Sequence, residues 1–389
     1  MQNDNILLAQ LNPIVGNIEY NYNKALDYIE RAKSQGVSLV VFPELFMLGY
    51  PPIDIIERYP LIVQENIQWL NKLALHCNDI SVLIGFCEFN DSNLGKKYFN
   101  SVAYISNGKI EKIIRKSLLP QYSEFNEGRY FQPAPFISAQ RIIQFGKMRA
   151  GVIICEENWN DFDFFKKPLY DFDPFEKLVT EQKPDFIINL SASPTRTKKE
   201  QLLNNMLSFC AKKYSTPILY VNQTGSTDCI SFCGTSRVYD KDGELIARAK
   251  SFDEDFFVVT PYKSPKNRIE PLVCGLEKTL NSQKEFSLDY EPDLERTYLT
   301  IVQAIRDYFN KNGFKRAVLG LSGGLDSSCC AALLSFALGA KNVVGVSMPS
   351  KITSSQSKND ARELAQNLGI NFFEIPIKDM TDASSNTFN

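Results

Sequence analysis

Short apolar runs that stop abruptly at polar or reactive residues recur along this 389-residue chain, and they constrain its fold more than any other feature. Ile6 to Leu11 ends in Asn12-Pro13, Val37 to Phe42 in Pro43-Glu44, and Arg149 to Ile154 in Cys155-Glu156-Glu157-Asn158-Trp159. Phe186 to Leu190 ends in Ser191-Ala192-Ser193-Pro194, and Pro217 to Asn222 in Gln223-Thr224-Gly225. Such runs read as buried strands, and Ile80 to Phe89 adds another. Helical spacing fills the intervals. Tyr22, Leu26, Ile29 and Ala32 recur within Asn21 to Gln35, which Gly36 closes; Pro60 to Leu75 and Lys198 to Tyr214 follow the same rule. Hairpins interleave, one around Asn107-Gly108 (Ser101 to Ile105, Ile110 to Arg115) and one around Asp242-Gly243 (Thr235 to Tyr239, Glu244 to Ala249). The polar, proline-punctuated Ser117 to Arg129 reads as a loop. The expectation is a layered α/β domain, sheets covered by helices, over residues 1–262.

The pattern changes after Tyr262. Residues 263–290 are irregular and charged and read as a linker. Asp293 to Asn312 is a helix with Leu294, Tyr298, Ile301, Ile305 and Phe309 on one side and Gly313 at its end. Ala317 to Leu321, Ser327 to Leu338, Val343 to Val346, Gln356 to Leu368 and Phe372 to Ile375 then alternate as βαβαβ, the grammar of a doubly wound parallel sheet. Residues 291–389 therefore read as the first part of a second domain, incomplete because so few strands cannot bury such a sheet. No terminal structure is expected in Thr381 to Asn389.

Bulk properties exclude several function classes. A formal net charge of −2 gives no reason to expect a nucleic acid or an anionic membrane as partner. No run is long enough to span a bilayer, and the N-terminus lacks the basic region of a secretory signal. Nine scattered cysteines without such a signal suit reduced thiols in a cytoplasm. Cys229 and Cys233 have no second pair and no nearby histidine, so no zinc or other metal site is expected. The one histidine, His76, sits in a helix-like segment; a catalytic base must be sought among carboxylates and lysines.

Three reactive groups, a carboxylate, a lysine and a thiol, stand at strand ends: Glu44, Lys116 and Cys155. A buried strand that stops at a nucleophile is the geometry of a nucleophile elbow. A thiolate attacks an amide carbon, a carboxylate takes the thiol proton and returns it to the leaving amine, and a lysine cation steadies the developing oxyanion. The chemistry closes without histidine. Taken singly, Glu44 could instead be a helix N-terminal charge, Lys116 a surface residue beside Lys112 and Arg115, and Cys155 core packing.

Pro43-Glu44, Lys116 and the Cys155-Glu156 turn resemble the Glu-Lys-Cys triad of the nitrilase, or carbon–nitrogen hydrolase, superfamily. The stretch from Lys116 through Tyr122, Glu127 and Phe131 is similar to the lysine loop in the glutaminase domain of the glutamine-dependent NAD synthetase family, and Asn189 to Pro194 matches that family too. The resemblance implies a nitrilase-like α-β-β-α sandwich that hydrolyses the glutamine amide through a Cys155 thioester and releases ammonia. Position by position it makes Glu44 the proton acceptor, Lys116 the electrostatic helper and Cys155 the nucleophile. Glu127 becomes a second glutamate bracing the lysine, within a glutamine site that includes Tyr122, Ser193 and Lys199. For Lys199, next to Lys198, a solvated helix start is an equal alternative.

Gly320-Leu321-Ser322-Gly323-Gly324-Leu325-Asp326-Ser327 lies between a strand and a helix. Glycines there let backbone N–H groups close on phosphate oxygens, and serine hydroxyls add donors. It is neither a Walker A loop nor a dinucleotide fingerprint. The string resembles the pyrophosphate-binding loop of ATP pyrophosphatases, and Met348-Pro349-Ser350 with Thr353-Ser354-Ser355 looks like the next motif of their NAD synthetase branch. The resemblance implies an ATP-dependent ligase. ATP, with Mg, adenylates deamido-NAD, and ammonia made at Cys155 displaces AMP. Homo-oligomeric assembly is a further expectation. The alternatives are a stand-alone amidase with an inert C-terminal remnant and a binding protein without turnover.

Overall fold

The computed structural model describes residues 4–196, 198–261, 269–272 and 293–388. They form two compact units, Met1–Asp293 and Leu294–Asn389.

The first unit opens with β1 (Ile6–Gln10), α1 (Ile18–Ser34), β2 (Leu39–Val41), α2 (Ile55–Arg58) and α3 (Leu61–Ala74). Three long strands follow, β3 (Ser81–Phe89), β4 (Tyr98–Ser106) and β5 (Lys109–Arg115), then α4 (Glu127–Tyr130). Next come β6 (Ile142–Phe145), β7 (Met148–Ile154), α5 (Pro174–Gln182), β8 (Phe186–Ser191), α6 (Lys199–Lys213) and β9 (Ile218–Asn222). A small hairpin, β10 (Thr224–Thr227) and β11 (Ile230–Cys233), precedes β12 (Arg237–Tyr239), β13 (Leu245–Arg248), β14 (Asp255–Pro261) and β15 (Ile269–Leu272).

These strands make two sheets, ordered β15-β14-β1-β2-β3-β4-β5 and β13-β12-β9-β8-β7-β6. Parallel strands sit at the centre of each (β1-β2-β3 and β7-β8-β9) and antiparallel ones at the flanks. Successive side chains of a strand point to opposite faces, so a strand buried on both faces must be apolar throughout. Ile6, Leu8, Val41 and Leu83 of one sheet meet Val152, Ile154, Ile188 and Val221 of the other in the central core. The alternate residues Leu7, Val40 and Val82 pack with Ala25, Ile29, Leu70 and Leu73 of α1 and α3. On the far side Ile153, Ile187 and Ile218 pack with Leu178 of α5 and Leu203, Met206 and Leu207 of α6. The result is the α-β-β-α sandwich.

Three local features differ from the sequence reading. The unit does not stop at 262, because β15 pairs antiparallel with β14 inside the stretch read as a linker. An edge strand carries little periodic signal, and Pro271 obscures this one further. The rest of 263–290 lies outside the described residues. The loop Ser117 to Arg129 runs into the short helix α4. Helix α5 falls in a stretch with little periodic signal, although it carries a standard start: the Asp173 side chain accepts the Phe175 N–H at 2.9 Å, with Pro174 as first helical residue.

The second unit runs α7 (Asp293–Lys311), β16 (Ala317–Gly320), α8 (Leu325–Leu338), β17 (Val343–Ser347), α9 (Ser355–Leu368), β18 (Asn371–Glu374) and α10 (Lys378–Phe388). Its three strands form one parallel sheet. Helix α9 starts where the Ser354 hydroxyl accepts the Ser357 N–H at 3.0 Å and stops at left-handed Gly369. Helix α10 corrects the expectation of an unstructured Thr381–Asn389 tail: Thr381 donates its N–H to Ile377 at 3.0 Å, and its hydroxyl bonds Lys378. Serine, threonine and asparagine have weak helix propensity, which hid this helix.

Candidate active site

Glu44, Lys116 and Cys155 follow β2, β5 and β7. The registers Val41↔Leu83, Phe86↔Ser101 and Ser101↔Arg115 bring the C-terminal ends of β2 and β5 to one edge of the first sheet. From the second sheet, the Ala192 N–H just past β8 donates to Glu44 Oε2 at 3.0 Å. Close backbone approach makes this possible. A Cβ on Gly85 of β3 would stand 2.0 Å from the Leu45 nitrogen and 2.6 Å from the Glu44 carbonyl carbon, so only glycine fits.

Lys116 is buried and holds two carboxylates. Its Nζ donates to Glu44 Oε1 at 2.6 Å and to both Glu127 oxygens at 2.9 Å. Asn100 bridges the same acids, donating from Nδ2 to Glu44 Oε1 at 2.7 Å and to Glu127 Oε2 at 3.4 Å. Tyr50 Oη donates to Glu127 Oε1 at 2.8 Å. Burial works against the Lys116 charge, but Glu127 and Glu44 outweigh it and hold its pKa well above the usual lysine value. Burial pushes Glu127 up to about 7, against the pull of Lys116. Taking ions out of water costs several kcal/mol each, so this trio persists because every charge is answered at hydrogen-bond distance.

Cys155 is the first residue of a 3-10 turn, with φ +41°, a left-handed conformation that side chains rarely adopt. Its backbone N–H donates to Asn189 Oδ1 at 3.1 Å. The Lys116 ammonium is close enough to act electrostatically on the thiol. Burial raises the thiol pKa well above its ordinary value; Glu44 adds to the rise and Lys116 opposes it. The thiol thus feels both partners, and any chemistry that used it as a nucleophile would have to take its proton away. Glu156 accepts from Tyr122 Oη at 2.9 Å and from Tyr170 Oη at 3.0 Å. Glu157 accepts the Ile154 and Ser117 N–H groups and a forked pair of bonds from Arg141.

A cavity of about 350 Å³ is lined by Tyr122, Trp159, Leu169, Arg196, Lys199 and their neighbours. Cys155 is not on its wall, but Tyr122 and Lys199 are, and Tyr122 reaches Glu156 beside the thiol. Of the lysine pair, Lys198 is exposed while Lys199 is half-buried, its Nζ 5.6 Å from the Phe125 ring centre and 5.4 Å from that of Trp159. Burial lowers the Lys199 pKa, and no carboxylate lies at ion-pair distance among the described residues. Arg196 instead pairs with Glu124. Ser193 is buried, its N–H donating to Asn222 Oδ1 at 2.8 Å.

In the second unit, Gly320 to Ser327 joins β16 to α8. Ser322 Oγ accepts the Gly324 N–H at 3.2 Å and lies 3.0 Å from Ser327 Oγ. Gly323 has φ +82°, and a Cβ there would stand 2.2 Å from the Ser357 carbonyl oxygen. Leu321 is buried and anchors the loop, while Ser322, Leu325 and Asp326 are exposed. The arrangement presents hydroxyls and backbone donors at a helix start, a cradle for an anion.

The sequence reading missed Asn100, Tyr50, Arg141, Glu156, Glu157 and Tyr170. The doubled acid after Cys155 was the one available signal: at the end of an apolar strand, two adjacent carboxylates demand buried partners.

Comparison with known proteins agrees with this division. Residues 6–167 match the family model for carbon–nitrogen hydrolases and residues 297–389 the model for NAD synthases. The fold and site thus define a nitrilase-type hydrolase unit joined to an NAD synthase segment. A glutamine-dependent NAD(+) synthetase of Thermotoga maritima is 36% identical over 96% of this chain and 65% of its own length. That of Aquifex aeolicus is 34% identical, over 99% of this chain and 67% of its own. The solved structure of the Acinetobacter baumannii enzyme, in complex with ADP, superposes with a TM-score of 0.84 at 30% identity, covering 98% of this chain and 66% of that one. The chain belongs to the glutamine-dependent NAD(+) synthetase family. It spans about two-thirds of the length of these relatives. No described helix is long and apolar enough to cross a membrane.

Proposed function

We propose that the first unit hydrolyses the side-chain amide of glutamine at Cys155, and that the ammonia serves an ATP-dependent amidation of deamido-NAD to which the second unit contributes. The observation that carries the first half is Lys116, gripped between Glu44 and Glu127 at the strand edge where Cys155 ends its own strand in a left-handed turn. Cys155 Sγ attacks the amide carbon while Glu44 takes its proton; Lys116 balances the negative charge that gathers on the carbonyl oxygen. Glu44 returns the proton to the leaving nitrogen, and ammonia departs. Water, deprotonated by Glu44, then cleaves the thioester to glutamate. Glu127 holds the lysine in place.

The cavity suits an amino-acid substrate, with Lys199 for the α-carboxylate and Tyr122 on its wall; buried Ser193, which does not line the cavity, would complete the glutamine site. In the second half, the N–H groups and hydroxyls of Gly320 to Ser327 hold ATP phosphates. Among the described residues no cluster of three acids, histidines or cysteines could hold a metal. A Mg ion accompanying ATP would therefore be held chiefly by the phosphates, with Asp326 the carboxylate at hand. A reducing, cytoplasmic setting and homo-oligomeric assembly belong to the same proposal; the eight unpaired described cysteines support the former.

The test is direct. Purified chain is given glutamine, then glutamine with ATP, magnesium and deamido-NAD, and glutamate, ammonia and NAD are measured. Glutamate release that is lost in Cys155→Ala supports the hydrolase step. No release from the parent chain sinks it. Release without NAD formation favours the stand-alone amidase.

A further inference from the structure

We infer that Glu157, clamped by Arg141, is the positioning residue that fixes the distance between the Cys155 elbow and Lys116, an inference that rests on Cys155 being the nucleophile. Neither residue touches a reacting atom, and neither lines the cavity that holds Tyr122 and Lys199. Their place in the fold argues the role. One oxygen of the Glu157 carboxylate accepts the N–H of Ile154, the residue before Cys155, at 2.8 Å. The other accepts the N–H of Ser117, the residue after Lys116, at 2.7 Å. A single rigid group thus spans the sequence neighbours of the thiol and of the ammonium. These belong to different sheets, so no strand ladder fixes the gap between them.

Arg141 holds that group from behind. Its Nη1 donates to Glu157 Oε2 at 2.6 Å and its Nη2 to Oε1 at 2.8 Å, the planar fork that sets a carboxylate's tilt as well as its position. The same Nη2 lies 2.6 Å from the Arg115 carbonyl and 2.8 Å from Ser117 Oγ, on either side of Lys116. Glu157 is 0% exposed and Arg141 3%. A buried ion pair of this kind is a weak source of stability, since an apolar pair of similar volume would do as well. Its distinctive product is direction. The Cys155 backbone, at φ +41°, persists only where its surroundings over-determine it, and the Ile154 bond is one such constraint.

The experiment compares Glu157→Gln and Arg141→Lys with the parent 389-residue chain. The first keeps the shape but turns one acceptor into a donor facing a backbone N–H. The second keeps the charge but loses the fork. Two readouts are taken: glutamine hydrolysis, and the rate of Cys155 alkylation by iodoacetamide across pH, with exposed Cys229, Cys329 and Cys330 as internal standards. A thiol displaced by about an ångström should lose roughly 10–100-fold in kcat with KM nearly unmoved. The pH profile of Cys155 alkylation should shift away from the parent's while the standards stay unchanged. A variant with native circular dichroism whose kcat stays within about twofold of the parent and whose alkylation profile is unmoved overturns the inference, and so does a change confined to KM. If neither variant folds, the pair is a folding element and the inference falls. A parent chain without glutaminase activity would sink the functional reading instead, while the alkylation comparison would still decide the positioning role.

Discussion

Around Cys155 the ionic side chains of Glu44, Glu127, Lys116, Glu157 and Arg141 are all buried and answered by one another. Along Gly320 to Ser327 the one charge is Asp326, and most of the loop is exposed. On the proposed function, the difference follows from what each region would act on. Glutamine's amide is neutral, so a site that cleaves it must carry its own charges, fixed before substrate arrives and shielded from water. A nucleotide brings its own charge, so a loop that binds it needs only oriented donors and a backbone that can approach closely. The first region should therefore fail through its side chains, the second through its backbone.

The largest effect tests the first half of that contrast. Cys155→Ala should lower glutamine hydrolysis by about 10⁴-fold or more, as removal of a nucleophile does, with ATP binding unchanged. Glutamate release and nucleotide titration on the same preparation measure both. Appreciable hydrolysis in the variant would remove Cys155 from the mechanism.

The second half is tested by adding one methyl group. Gly323→Ala places a Cβ at φ +82° and against the Ser357 carbonyl, which belongs to the backbone of α9 and has little room to move. The loop must shift, and its affinity for ATP should drop by roughly 10–100-fold, equivalent to about 1–3 kcal/mol of backbone strain. Glutamine hydrolysis should be unaffected. Isothermal titration with ATP reads the loss; wild-type affinity in the variant would mean that the nest is not where phosphate binds.

Between these extremes stands Lys199, a half-buried cation that has no carboxylate at ion-pair distance among the described residues and feels Glu124 and Glu156 only through space. If it meets the substrate's α-carboxylate, Lys199→Met should raise KM for glutamine by about tenfold and leave kcat nearly unchanged, the pattern of lost ground-state binding. An equal fall in kcat would place it in the chemistry. An unchanged KM would return it to the solvated helix start that the sequence also allowed.

The legibility of the two regions in the sequence follows the same division. Glu44 and Cys155 could be singled out because each follows an apolar strand, Lys116 because the second strand of a hairpin runs into it, and Gly320 to Ser327 because a glycine-serine string between strand and helix has few other uses. The supporting shell was hidden because it is built from contacts distant along the chain. Asn100 reaches Glu44 across 56 residues and Arg141 reaches the Arg115 carbonyl across 26. No local spacing encodes such pairs; they exist only once strands distant in sequence have assembled and packed. Edge elements such as β15 were obscure for a related reason, since an edge strand answers to one neighbour and carries less pattern.

The smallest expected effect concerns stability and pH. Glu127 is raised by burial from 4.5 to about 7, so the folded chain holds a proton there that the unfolded chain has already released. The sign follows from proton linkage. The native state binds more protons between these values, so this group's contribution to stability is complete below about 4.5 and is lost as pH rises through about 7. Glu127→Gln cannot titrate, so its Tm profile should lack that decline. Relative to wild type it should therefore gain by a few degrees between pH 5 and pH 8, within the roughly 2–4 °C per kcal/mol expected for a domain of this size. Parallel Tm profiles across that range would show that Lys116 keeps Glu127 ionised throughout. The grip on Lys116 would then be two full negative charges rather than a carboxylate and a shared proton.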